Sequence, residues 1–281
     1  MTISPIDESQ GKAARVTEAS PRSLARLAGV FQLLEAVTAT FGQVIVVGWL
    51  VVPGNASATA DKILGNERLF WFGFASCLIG IVCHIAWALL VYDLLKRVHR
   101  RLSLFAVFVI LVGCAIQALT SVFYLAPLLV LTGGSSVSAF TTEQLHALAF
   151  LFVRLNAYAF DTYLVFFGLW CVLIGLLIFR STFLPRILGV LFAISGLGYL
   201  TFLSPPLANY LFFPYIAAAV APGEISVMLW FLVFGVNARR WKAHASYGGH
   251  FEKVSSSYFH SYFAGGRIGE LCSDWQEEKR G

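Results

Sequence analysis

LFWFGFASCLIGIVCHIAWALLVY, residues Leu69–Tyr92, carries one ionisable side chain, His84, in a run long enough to cross a bilayer. About 20 apolar residues at 1.5 Å rise span the ~30 Å hydrocarbon core. The run shows no sustained alternation, so it reads as helix rather than strand. It closes on Lys96, Arg97, Arg100 and Arg101. Runs of the same kind recur outward from it: Leu27–Leu50, Leu102–Leu131, a long fourth ending at Phe179, Phe183–Leu203 and Tyr215–Val236. The chain therefore reads as an all-α, integral membrane six-helix bundle.

Composition supports this. Of 281 residues, 58% are hydrophobic and 12% charged, whereas soluble domains carry about 25% charged residues. The missing water-facing surface must face lipid, which excludes disordered, collagen-like, disulfide-rich secreted and nucleic-acid-binding classes. Partners are then the bilayer itself and a homo-oligomer or membrane partner, with no nucleic acid.

Charge at the ends of the runs sets an orientation. Lys12, Arg15, Arg22 and Arg26 precede the first span, and the Lys96–Arg101 cluster follows the second. Arg180 and Arg186 flank the turn after the fourth, and Arg239, Arg240 and Lys242 follow the sixth. All four groups fall on one side. The opposite loops hold Lys62 and Arg68 balanced by Asp61 and Glu67, then Glu143, then no charge from Ser204 to Pro214. The positive-inside rule places both termini in the cytoplasm, N-in and C-in. Asp7, Glu8 and Glu18 and the long following run argue against a cleaved leader.

Three segments are expected: an N-terminal tail over 1–22, the membrane domain over 23–245, and a tail over 246–281 mixing Gly, Ser and aromatics, expected to be poorly ordered. The fourth span opens on Phe140-Thr-Thr-Glu-Gln-Leu145, with Thr141 as N-cap, Gln144 at N3, and Phe140 and Leu145 at the staple positions. A helix running from there to Phe179 is roughly 57 Å long. Its first turns must project beyond the outer boundary or break away along the interface. Pro53-Gly54 marks a turn, and the weakly amphipathic stretch Asn55–Lys62 after it is expected to lie at the interface.

No soluble-enzyme signature occurs: there is no P-loop, dinucleotide fingerprint, GxSxG or HExxH. Cys77, Cys83, Cys114 and Cys171 lie inside spans, Cys272 lies in the tail, and none forms a CxxC pair. The expectation is no catalytic residue, no metal and no cofactor.

What remains is the polar residues at membrane depth, which are costly there and face the bundle interior. Glu35 lies nine residues from Arg26, and His84 nine from Asp93. Each therefore sits roughly 13–14 Å above the inner edge. The first two helices are antiparallel neighbours, so a Glu35–His84 hydrogen bond or ion pair is available. The same count places Glu224 at roughly 20 Å, Gln117 at roughly 24 Å, and Asp161 at the outer edge with Arg154 beyond it. Gln32 shares the Glu35 face with Ala39 and Gly42, and Arg154 shares one with Asp161. Gly73, Cys77, Gly80, His84 and Ala88 form a stripe of small residues carrying one imidazole, and Gly189, Ala193 and Gly196 repeat the idea. The candidate polar core is Glu35, His84, Gln117, Asp161 and Glu224, with Gln32, Arg154 and Asn156 as weaker members. It reads either as a proton- or cation-handling path or ligand pocket, or as interhelical hydrogen bonds that fix helix register.

Five blocks carry a resemblance: RLAG at 26–29, VPGNASAT at 52–59, LLVYDLLK at 89–96, LVFFG at 164–168 and FLPRILGV at 183–190. With these the chain resembles, over 23–245, the bacterial multi-pass membrane proteins grouped as domain of unknown function 4386. The resemblance implies a bacterial cytoplasmic membrane and brings no established activity. It also shows departures: His84 stands where the family favours an acid, and Arg154 and Asn156 where it favours an acid and a histidine. The leading functional expectation is small-solute or ion-coupled transport or ligand sensing through the Glu35–His84 region. The alternative is a structural or partner subunit of a membrane complex.

Overall fold

A computed structural model of the chain describes residues 20–243. Helix α1 (Pro21–Leu50) is followed by α2 (Ala56–Gly65), α3 (Glu67–Leu95), α4 (Arg100–Thr132), α5 (Thr142–Arg180), α6 (Arg186–Leu203), the short α7 (Pro205–Leu211) and α8 (Pro214–Val233). No strand occurs among the described residues. Helices α1, α3, α4, α5, α6 and α8 are the six long and apolar enough to cross a membrane. Residues 239–243 belong to a second unit and are helical. The tail expectation for 246–281 falls outside the described residues.

The spans pack in chain order as a closed ring, α1 on α3, α3 on α4, α4 on α5, α5 on α6, α6 on α8, and α8 back on α1. The last contact is tied at one end by Arg26, whose guanidinium donates to the Val233 carbonyl at 3.3 Å, a cation on an otherwise orphan C-terminal carbonyl. Just beyond, Gly235 takes φ +66° and its N–H returns to the Trp230 carbonyl at 2.9 Å, a left-handed helix stop that a side chain would strain.

Large apolar side chains lie on the outside as well as in the core. Phe72, Val82, Phe108 and Trp49 are each at least 60% exposed, while His84, Ser103, Thr120 and Ser195 are fully buried among apolar residues. An apolar outside with the few polar groups turned inward is what lipid selects.

Two local expectations meet their structures. The Thr141–Gln144 capping box is formed, and α5 runs unbroken to Arg180. Its first turns continue the helix rather than breaking away, and α2 packs along them, with Ser57 Oγ and His146 Nδ1 3.1 Å apart. The stretch after Asn55 is therefore a helix capped by the Asn55 side chain and resting on protein. One feature was absent from the expectation: α1 widens into a π-helix over Thr40–Val46, where the Tyr124 hydroxyl of α4 donates to the Gly42 carbonyl at 3.3 Å.

Candidate functional site

Register between α1 and α3 builds the site. Ser76 donates to the Thr38 carbonyl at 2.7 Å, and Gly80 lets Thr38 and Ala39 approach so closely that a Cβ there would meet Thr38 Oγ1 at 3.0 Å. One turn further along α3 comes His84, and one turn back along α1 comes Glu35. The two side chains meet with His84 Nδ1 3.5 Å from Glu35 Oε1. The same nitrogen is 3.2 Å from the Tyr163 hydroxyl of α5. A protonated Nδ1 donates to Glu35, and in the other tautomer Nδ1 accepts from Tyr163.

Aromatic rings enclose the imidazole. Trp87, Phe167, Trp170 and Tyr163 have centroids 5.2, 5.4, 5.5 and 6.2 Å from it. The box leaves His84 with no exposed surface, whereas Glu35 keeps 12% of its side chain exposed. Inside this sheath His84 Nε2 and the indole nitrogens of Trp87 and Trp170 have no hydrogen-bond partner.

A second acid lies beside the pair. Glu224 enters from α8, its carboxyl facing the Tyr199 hydroxyl of α6, with Oε1 buried and unpartnered. Gln32, one turn below Glu35 on α1, donates to the Glu224 backbone carbonyl at 3.4 Å. The ring of helices thus gathers Glu35, His84, Glu224 and Gln32 from α1, α3 and α8.

The other expected members stand apart. Gln117 is buried on α4 with Oε1 unpartnered. Asn156 donates to the Thr120 carbonyl at 3.1 Å. No ion pair joins Arg154 to Asp161 among the described residues; Arg154 is exposed and turns to Tyr158, donating to its hydroxyl at 3.4 Å and lying over its ring. Sequence reasoning missed Tyr163, Phe167 and Trp170 on α5, Trp87 on α3 and Tyr199 on α6. The i, i+4, i+7 spacing of the three α5 residues marks one helix face, and that stripe was the signal available. Among the described residues no three His, Cys, Asp or Glu side chains converge to hold a metal.

The chemistry open to this arrangement is proton or cation exchange between carboxylates and one imidazole, shielded from water by aromatic walls. Neither of two apolar pockets in the bundle, one lined by Tyr124 and Asn156 and one by Gly175 and Gly189, is lined by Glu35 or His84.

No curated protein and no solved structure matches the chain. One family profile does, described as Domain of unknown function (DUF4386), over residues 27–235. That match takes in the six spans except for the first six residues of α1, and Glu35, His84, Tyr163 and Glu224 all lie within it; the chain is a member of the DUF4386 family.

Proposed function

We propose that this multi-pass protein resides in a bacterial cytoplasmic membrane with both termini inside, its membrane domain over 23–245, and that it couples a proton or small cation to solute transport or ligand sensing. Charge balance carries the reading. Glu35 and Glu224 share the core with a single imidazole, and a bare carboxylate at this depth is prohibitively costly. A proton or cation therefore has to accompany the cluster, and its arrival or departure changes the fields holding α1, α3 and α8 together. The 12% of Glu35 left exposed supplies the point of exchange.

Purified protein in vesicles carrying an entrapped pH dye tests this. Wild type should respond to an imposed pH gradient, and Glu35→Gln and His84→Ala should each lower the response by roughly tenfold, the scale of losing a charged hydrogen bond. Mutants that behave like wild type remove the reading.

The enclosure of His84 by four rings favours a second one, a structural or partner subunit in which the polar contacts fix helix register. On that reading the same substitutions lower abundance without altering any flux, and crosslinking recovers one stoichiometric membrane partner.

A further inference from the structure

On its lipid-facing side the contact between α5 and α6 leaves an open groove of about 290 Å³. Its floor is glycine, Gly175 on α5 and Gly189 on α6, and its walls are Leu176, Phe179, Ile194 and Leu197. The floor is low because a Cβ on either glycine would stand 2.6 Å from the other's carbonyl oxygen. The floor is thus fixed by the helix crossing and does not depend on side-chain rotamers.

Cations mark one end of it. Arg180 follows Phe179 directly, and the Arg186 guanidinium lies 5.8 Å from the centre of the Phe179 ring, which holds it at the groove mouth. Both arginines are exposed, and neither has an ion pair among the described residues. No acidic residue occurs in the sequence between Asp161 and Glu224, so neither α6 nor the turn before it supplies an acid to pair with them. From Arg186 to Leu197 the groove follows α6 for roughly 16 Å, close to half of the ~30 Å hydrocarbon core. That is the depth of one leaflet.

We propose that this groove binds one anionic phospholipid of the leaflet that the arginines face, with an acyl chain along Gly175 and Gly189 and the phosphate on Arg180 and Arg186. Guanidinium groups suit the phosphate because each offers paired N–H donors in a fixed fork. The apolar walls supply the chain with dispersion contacts that a flat helix surface lacks.

Native mass spectrometry of the full chain, released from detergent with equal amounts of dioleoylphosphatidylglycerol and dioleoylphosphatidylcholine, tests the site. Wild type should retain one phosphatidylglycerol in preference to phosphatidylcholine. R180Q/R186Q should weaken that adduct roughly thirtyfold, the scale expected for two basic residues at an anionic surface. I194W, which fills the groove from its rim, should weaken it as well, while R22Q/R101Q, which removes basic charge elsewhere, should leave it in place. Helicity by circular dichroism accompanies each variant, and R180K/R186K, which keeps the charge, should restore part of the preference if the glutamine pair does not fold. The proposal is overturned if wild type shows no preference for phosphatidylglycerol, if R180Q/R186Q or I194W keeps the adduct at full strength, or if R22Q/R101Q loses it equally. A second copy of the chain occupying the groove would appear as a dimer that I194W dissociates without any lipid preference, and that also overturns it.

Discussion

Tyr163 and Glu35 meet the same atom, His84 Nδ1, at 3.2 and 3.5 Å. Two groups competing for one nitrogen cannot contribute independently. Tyr163→Phe should cost about 0.5–1.5 kcal/mol of stability, the net value of one hydrogen bond. In a Glu35→Gln background that cost should change by at least about 0.5 kcal/mol. Chemical unfolding of the four proteins in detergent measures the cycle, and additivity within about 0.3 kcal/mol would mean that the two groups do not share the nitrogen. The level meeting of Glu35 and His84 was legible because helical rise is constant and each residue could be counted from a basic boundary. Tyr163 was not, because an aromatic residue in an apolar span carries no sign of which face it lies on until neighbouring helices are placed. Arg154 and Asp161 show the opposite failure. Spacing put them on one face, but an exposed side chain is free to choose a nearer partner, and Arg154 takes Tyr158 one turn away.

Helices α5 and α6 meet through two glycine pairs, Gly168 with Gly196 and Gly175 with Gly189, each set seven residues apart on its own helix. Small residues allow such approach in lipid, where dispersion replaces hydrophobic drive. A Cβ at position 175 would stand 2.6 Å from the Gly189 carbonyl oxygen and 2.8 Å from the Ala193 nitrogen, both backbone. Backbone has little room to give, so Gly175→Ala should destabilise by about 1–3 kcal/mol. Gly48 is the internal control. It lies in helical α1 with nothing within 4 Å of a built Cβ, and Gly48→Ala should be neutral or stabilising by up to about 1 kcal/mol. Thermal unfolding of the two variants side by side reads the contrast, and equal effects would show that close approach does not govern this crossing. The glycine stripe of α6 and the cap of α5 were readable as local patterns. The π-helical widening of α1 was not, and there a tyrosine from α4 donates to the Gly42 carbonyl, a contact between helices that no local pattern announces.

At the scale of the bundle, six apolar helices pack in a closed ring, and of the 20 basic residues in the sequence 13 belong to the four clusters that the proposed topology assigns to one side of the membrane. On the proposed topology the charge excess is an orientation signal against an anionic inner leaflet, and the proposed lipid site at Arg180 and Arg186 uses two of the same residues. Sequence alone carried the number of spans furthest, because hydrocarbon thickness acts on each segment without reference to its neighbours. Cysteine labelling of intact cells tests the resulting topology. Cys77, Cys83, Cys114 and Cys171 are buried and should stay silent, and Cys272 is first replaced by serine. Ser135→Cys, exposed in the loop between α4 and α5, should react with a membrane-impermeant maleimide at once. Arg101→Cys, exposed at the opposite end of α4, should react only after permeabilisation. The reverse pattern would place the basic clusters outside, and with them the leaflet that Arg180 and Arg186 address. Labelling of both sites in intact cells would break the six-span ring itself, since the two positions bracket a single helix whose apolar length has no other way to be satisfied than by crossing the membrane once.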